Sequence, residues 1–236
     1  MAEAEEATFY SAAWRRFLKE ARVRSAFNDV AFDNWTPDRR YLSILVDLSG
    51  VGSLADTAAE IASAVDIPAY GLVGPDGLHL TVQEIGFADE LDATAIAAVE
   101  RGVARVAADT PHFRASVSGV GSFADAAFFQ VEPWEPFREM RRKLWEACPI
   151  LRGRGPGADV PALEGGIAPH ISIAYYNDSV PSSAIAERLA RFRGLTLPPF
   201  AVTAISLVGT RQPTQAYFQW EALGRFALGP EKEDLS

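Results

Sequence analysis

Two short phrases constrain this chain more tightly than anything else in it: His79-Leu80-Thr81-Val82 and, ninety-one residues on, His170-Ile171-Ser172-Ile173. Each sets an imidazole and a hydroxyl two residues apart in an apolar run. Successive side chains of a β-strand point to opposite faces, so this alternation predicts a strand with one polar and one apolar face. His79 and Thr81 then share a face, with Leu80 and Val82 turned into a core behind them. His170 and Ser172 share a face in the same way, backed by Ile171 and Ile173. At a rise of roughly 3.3 Å per residue, each imidazole and its hydroxyl stand about 6.6 Å apart along the strand. The chain holds three histidines in 236 residues, so two of them fall in matching phrases.

Two such strands lining one cleft present a substrate with two imidazoles and two hydroxyls, a set suited to phosphoryl chemistry. A neutral imidazole takes the proton from an attacking hydroxyl or water, and a protonated one gives a proton to the leaving oxygen. The hydroxyls donate to nonbridging oxygens, where charge gathers in the transition state. No metal and no cofactor is required. A lone strand histidine is more often a structural, hydrogen-bonded residue. The repetition, with matched hydroxyls and matched apolar neighbours, favours a shared site instead. His112 lacks a hydroxyl two residues on and reads as structural or exposed. A zinc site from His79, His170 and His112 lacks the short-range ligand spacing such sites show. The Gly-Val-Gly-Ser runs at 50–53 and 119–122 both lack the lysine of a phosphate loop; the first reads as a turn into a helix and the second sits between strand segments.

Charge narrows the partner. The formal net charge is −9 and the pI about 4.9, whereas a protein that clamps long nucleic acid presents a basic surface. A small nucleotide or short RNA end remains admissible as substrate. The start of the chain lacks the basic-then-apolar pattern of an export signal, and no apolar run reaches membrane-spanning length. Cys148 is the single cysteine; it reads as a packed small residue and suits a reducing compartment, so a cytoplasmic, monomeric protein is expected.

Patterning predicts a helix over 8–27, a strand over 39–48, a helix over 53–66 capped by Ser53, and a helix over 89–109. Two strands joined by a turn near Ala124 and Asp125 come next, then a helix over 133–147 and a mobile Gly- and Pro-rich loop over 151–169. The second histidine strand, a further helix and a closing strand pair complete the core. Strands and helices alternate in two similar halves, each with one histidine phrase. The expected division is an N-terminal helical extension over 1–38, packed against a lobe; a bilobal domain over 39–228; and an acidic tail over 229–236, expected to be disordered.

With these motifs in view, the chain resembles the 2H phosphoesterases, the group that includes bacterial 2′-5′ RNA ligases and RNA 2′,3′-cyclic phosphodiesterases. Their mark is a pair of His-x-Thr/Ser-apolar motifs 80 to 100 residues apart, met here by His79-Leu80-Thr81-Val82 and His170-Ile171-Ser172-Ile173. The resemblance runs from about Tyr41 to Leu228, with Gly86 where the family often ends its first motif strand. It implies an α+β fold of two related antiparallel-sheet lobes with outer helices around a central cleft. It also implies catalysis by His79 and His170, with phosphate bound by Thr81 and Ser172. The expected reaction is metal-independent hydrolysis of a 2′,3′-cyclic phosphate or 2′-5′ phosphodiester. The alternative is a nucleotide-binding or sensing protein that uses the cleft without turnover.

The chain departs from the family pattern at two places. Tyr175 stands five residues after the second histidine, where many relatives carry arginine, and Glu84 stands where an apolar residue is common. Gln83 shares the parity of His79 and Thr81, so it either lines the cleft or faces solvent. Tyr176 has the strict parity of His170, but strand ends twist, so either Tyr175 or Tyr176 is the candidate contact. Arg152 and Arg154, in the glycine-rich loop, are candidates for a cationic lid or for solvated surface. The run Arg138, Arg141, Arg142 and Lys143 reads as a solvated helix face.

Overall fold

The computed structural model describes residues 2–26, 35–36, 38–151, 168–211 and 218–230. The glycine-rich loop with Arg152 and Arg154, and the acidic residues 231–236 of the tail, lie outside the described residues. Five α-helices and nine strands run along the described chain: α1 Ala2–Phe17, β1 Arg40–Asp47, α2 Gly52–Val65, β2 Tyr70–Leu72, β3 His79–Phe87, α3 Ala93–Ala108, β4 Phe113–Ser122, β5 Ala126–Glu132, α4 Glu135–Ala147, β6 His170–Tyr176, α5 Ser182–Leu189, β7 Phe200–Val202, β8 Ala204–Arg211 and β9 Trp220–Ala227.

These strands make two antiparallel sheets, ordered β3-β1-β8-β9 and β2-β6-β5-β4-β7. Helices α3 and α4 pack on the first sheet, and α2 on β2, β6 and α5 of the second. The expected α+β architecture of two sheet lobes with helices is what the chain adopts. Its lobes are not the two halves of the sequence, however. The chain visits the first sheet with β1, the second with α2 and β2, and then returns with β3 and α3. It crosses again for β4 and β5, leaves for α4, and re-enters with β6. The closing apolar run is itself divided: β7 pairs with β4, β8 pairs with β1 and β9, and Thr203 alone separates the two.

Helical spacing of small and branched residues produces the outer layers. In α2 the buried positions are Leu54, Ala58, Ile61 and Val65, one stripe facing the second sheet. No side chain caps this helix, and Ser53 sits inside its first turn, so the expected Ser53 cap does not form. Helix α3 does begin on a side-chain cap, with Asp92 accepting from the Ala95 N–H at 2.7 Å. Where α3 meets α4, Gly102 lies so near Cys148 that an added Cβ would come within 2.0 Å of the sulfur. Only a hydrogen at residue 102 lets the helices approach this closely. Helix α1 ends at Phe17, ten residues before the expected boundary, and lies against β4.

Leu80, Val82, Ile171 and Ile173 are fully buried, as alternation predicts. Burying side chains of this size contributes roughly 1.5–3 kcal/mol each, which holds the opposite face of both motif strands in a fixed place. Strands β3 and β6 lie against each other where the two sheets meet. The faces carrying His79 and His170 are thereby brought together.

Candidate active site

The two motif strands carry the same irregularity at the same place. Between β1 and β3, Leu45 pairs with Thr81 and Ile44 with Gln83, leaving Val82 as an extra residue. Between β5 and β6, Phe128 pairs with Ser172 and Ala127 with Ala174, leaving Ile173 extra. Each bulge falls three residues after the histidine, and a one-residue bulge reverses the parity of everything beyond it. Burial follows suit. His79, Thr81 and Glu84 are half-buried with Leu80, Val82 and Gln83 buried, and His170, Ser172 and Tyr175 are half-buried with Ile171, Ile173 and Ala174 buried. Three positions of each strand therefore share its half-buried face, the cleft face at the seam of the two sheets: the histidine, the hydroxyl two residues on, and the residue five on. A second shift between Leu42 and Ser43 leaves Ile85 extra, next to Gly86 at φ 120°, a backbone that L side chains rarely adopt.

The bulge removes Gln83 from the cleft. Its side chain enters the core, where Oε1 accepts from Arg141 Nε at 2.9 Å and from Trp145 Nε1 at 2.8 Å. Arg141 is 4 % exposed, with its guanidinium 5.0 Å from the Trp145 ring centre. It is therefore not part of a solvated helix face, unlike Arg142, which is exposed and paired with Glu139 and Glu146. Tyr176 is also withdrawn. It is fully buried, and its hydroxyl bonds Ser122 Oγ at 2.6 Å. Tyr175 is the tyrosine that reaches the cleft, in a hydrogen bond with Ser172, and burial pushes its phenol up to about 12.

The histidines are held alike. His79 Nδ1 lies 2.7 Å from the Gly77 carbonyl and His170 Nδ1 lies 2.8 Å from the Ala168 carbonyl. A carbonyl only accepts, so Nδ1 carries the proton in both rings and Nε2 is the atom each presents. Both imidazoles are held below their ordinary value, chiefly because burial disfavours the charged form, with the carbonyl bonds opposing it. A positive charge on His170 lowers His79 further, so the site resists carrying two protons. Aromatic rings fix the imidazole planes. Phe123 and Phe128 stand 5.2 and 5.5 Å from the His170 ring, and Trp220 stands 6.3 Å from that of His79. The hydroxyl of Thr81 has no hydrogen bond among the described residues.

Helix α1 reaches the second histidine from outside the core. The Tyr10 hydroxyl donates to the Pro169 carbonyl, lies 3.2 Å from the Val131 carbonyl, and accepts from the Val131 N–H at 3.1 Å. Tyr10, Phe128, Trp134 and Ala168 form a small separate apolar cluster. The segment that holds His170 by its Nδ1 is thus clamped by the N-terminal helix. Replacing Tyr10 with phenylalanine keeps the ring and removes the hydroxyl's bonds, leaving the Val131 N–H its 3.2 Å bond to the Pro169 carbonyl, at an expected cost of about 1 kcal/mol. A thermal melt compared with the wild type checks this.

Asp125, Tyr41, Arg141, Trp220 and Phe123 belong to this neighbourhood although their local sequence contains no motif. His112 heads β4 with its backbone N–H on the Gly229 carbonyl. Among the described residues no group of three or more His, Cys, Asp or Glu side chains converges to hold a metal. No described helix is long and apolar enough to cross a membrane.

The fold that brings the two histidine strands together is similar to that of solved LigT-type structures. TT0787 of Thermus thermophilus is similar at 21% identity and a TM-score of 0.61, over 81% of this chain and 99% of that one. E. coli LigT in complex with 3′-AMP is similar at 18% identity and a TM-score of 0.55, over 81% and 99%. E. coli LigT in apo form gives 18% and 0.54, over 81% and 98%. No curated protein matches the chain significantly. The family profile of the 2′-5′ RNA ligase superfamily matches residues 46–214, and the chain belongs to that superfamily.

Proposed function

We propose that the protein is a metal-independent phosphodiesterase that opens a 2′,3′-cyclic phosphate, or cleaves a 2′-5′ phosphodiester, in a small nucleotide or short RNA end. The observation that carries this reading is the matched pair of imidazoles, each tied through Nδ1 to a backbone carbonyl two residues before it. The arrangement leaves two Nε2 atoms for proton transfer. With one bare and the other protonated, the bare Nε2 takes a proton from water as the water oxygen bonds to phosphorus. The protonated Nε2 gives its proton to the ribose oxygen as that P–O bond breaks. The product is a phosphate monoester, and one proton has moved from one side of the phosphorus to the other. Thr81 and Ser172 donate to the nonbridging oxygens, while Tyr175 orients the Ser172 hydroxyl through their shared hydrogen bond.

The superfamily supports a phosphoesterase, and a solved neighbour carries 3′-AMP, the kind of monoester such a reaction releases. A short substrate suits the net charge of −9. The same reading takes the protein to act as a monomer in the cytoplasm, without a cofactor. Incubating the purified protein with the nucleoside 2′,3′-cyclic phosphates and a 2′-5′ dinucleotide, with products separated by chromatography, tests it. Monoester formation that persists in chelator is the expected result, and absence of product from every substrate would overturn the reading.

The pH dependence follows from the two rings. One must be neutral and the other protonated, so kcat/KM is bell-shaped and its limbs belong to the coupled pair. Both imidazoles are held below the ordinary value of about 6.5. The optimum of kcat/KM is accordingly expected on the acid side of neutrality. A pH–rate profile with its optimum in the alkaline range contradicts this.

A further inference from the structure

We infer that Glu84 reads the nucleobase, accepting paired N–H donors, so that guanine nucleotides are the substrates this cleft takes best. The inference rests on the phosphodiester reading of the same cleft and names its substrate more narrowly.

The bulge at Val82 turns Glu84 onto the face of His79 and Thr81, while Gln83 goes into the core. Across the bulge Glu84 lies opposite Ser43, two residues from the Leu45 that pairs with Thr81, so it stands about 7 Å along the strand from Thr81 at roughly 3.3 Å per residue. With the length of the glutamate side chain added, that places the carboxylate within reach of the far edge of a base whose ribose-borne phosphate lies at Thr81. With the phosphate between the histidines, the base extends along β3 toward Glu84. Tyr175 occupies the equivalent position on β6, and the Glu84 charge acts directly on its phenol.

The Glu84 carboxylate is sparsely held. Its one hydrogen bond among the described residues comes from the Tyr41 hydroxyl at 3.4 Å, a long contact. An ionised carboxylate accepts at about four lone-pair sites, so most of its capacity is open. Arg141, buried behind it in α4, attracts the charge without donating a hydrogen bond to it. Burial lifts the carboxyl to about 7. A group so placed is stabilised by any ligand that brings it two donors.

Tyr41, Tyr175 and Phe218 are half-buried aromatic residues at this end of the cleft, with Phe218 5.0 Å from Tyr175 and Trp35 stacked 5.7 Å from Phe218. Aromatic faces around a hydrogen-bonding edge are how proteins hold an unpaired base. Among the common bases, guanine offers a ring N–H and an exocyclic amine side by side. Adenine and cytosine set one donor beside a bare ring nitrogen, and uracil sets its N–H between two carbonyls. Each of those brings at least one lone pair against the carboxylate. A site built to receive donors rejects a ligand lacking them, because its own buried acceptor is left unpaired.

The test compares kcat/KM for the 2′,3′-cyclic phosphates of guanosine, inosine, adenosine, cytidine and uridine at pH 8, where Glu84 is ionised. Guanosine is expected to lead adenosine by about 30-fold, the scale of charge-assisted hydrogen bonds, with inosine between. Glu84→Gln, checked by thermal melt, is expected to collapse the guanine-to-adenine ratio at least tenfold. The wild-type ratio is expected to fall on going to pH 5.5, a check that needs no variant. A parallel calorimetric titration uses His170→Ala with 3′-GMP and 3′-AMP, so binding is read without turnover. Tighter 3′-GMP binding that Glu84→Gln erases, in a protein that hydrolyses none of these substrates, supports the base reading and defeats the phosphodiesterase. Turnover at similar rates on all bases, or a guanine preference that survives Glu84→Gln, defeats the base reading and leaves the phosphodiesterase standing. Failure of both nucleotides to bind overturns it as well.

Discussion

His79→Ala and His170→Ala, made one at a time, are each expected to lower kcat on a 2′,3′-cyclic phosphate by about 10²–10⁴-fold, the usual contribution of a positioned acid or base. The double variant is expected to fall little further than the weaker single one. The two groups serve one proton's passage across the phosphorus, and residues that act as a unit are not additive. Neither ring is a keystone of the core. Both are half-buried on the cleft face, while the fully buried Leu80, Val82, Ile171 and Ile173 hold the strands from behind. The alanine variants should therefore keep cooperative melting, and the loss should appear in kcat more than in KM. Losing one imidazole should also replace the bell with a single limb, because one of the two titrations disappears. Turnover within tenfold of the wild type in either variant removes the paired-imidazole mechanism.

Gln83→Leu is expected to cost about 3–5 kcal/mol, the scale seen when a buried charged partner loses its mate. Oε1 of Gln83 is the acceptor for both Arg141 Nε and Trp145 Nε1, and Arg141 is 4 % exposed. Leucine matches the size but leaves a buried guanidinium and an indole N–H without that acceptor. For a domain of this length the loss corresponds to a melting point lower by roughly 6–20 °C. Adding Arg141→Met should return much of the stability, because removing both partners of a buried polar pair costs less than stranding one. Melting curves of the two singles and the double close the cycle. A Gln83→Leu protein as stable as the wild type shows that the network carries no such energy.

The faces of the four residues of the proposed site were legible from alternation alone. His79, Thr81, His170 and Ser172 fall on the expected faces because the first three residues of each phrase precede the bulge. Beyond it, parity pointed to Gln83 and Tyr176, and the chain turns Glu84 and Tyr175 to that face instead. Nothing in an apolar run such as Leu80-Thr81-Val82-Gln83 reveals that one residue will be left unpaired. The bulge is set by the partner strands β1 and β5, distant in sequence. Arg141 was misread for a related reason. Its neighbours at 138, 142 and 143 are basic, and only the helix's seating against β3 decides which cation goes inward. Trp220 and Phe123 reach the histidines through tertiary contact alone and carry no local signal.

The interlaced path of the chain has a consequence for the molecule's unity. Strand β8 belongs to the sheet begun by β1, while β7, one residue upstream, belongs to the sheet begun by β2. No single cut divides the polypeptide into a fragment holding one sheet and a fragment holding the other. Either fragment would expose strand edges whose partners lie on its counterpart. The lobes are therefore expected to melt together in one transition, and neither should persist alone when the other is lost. The two histidines, one from each sheet, then exist as a pair or not at all.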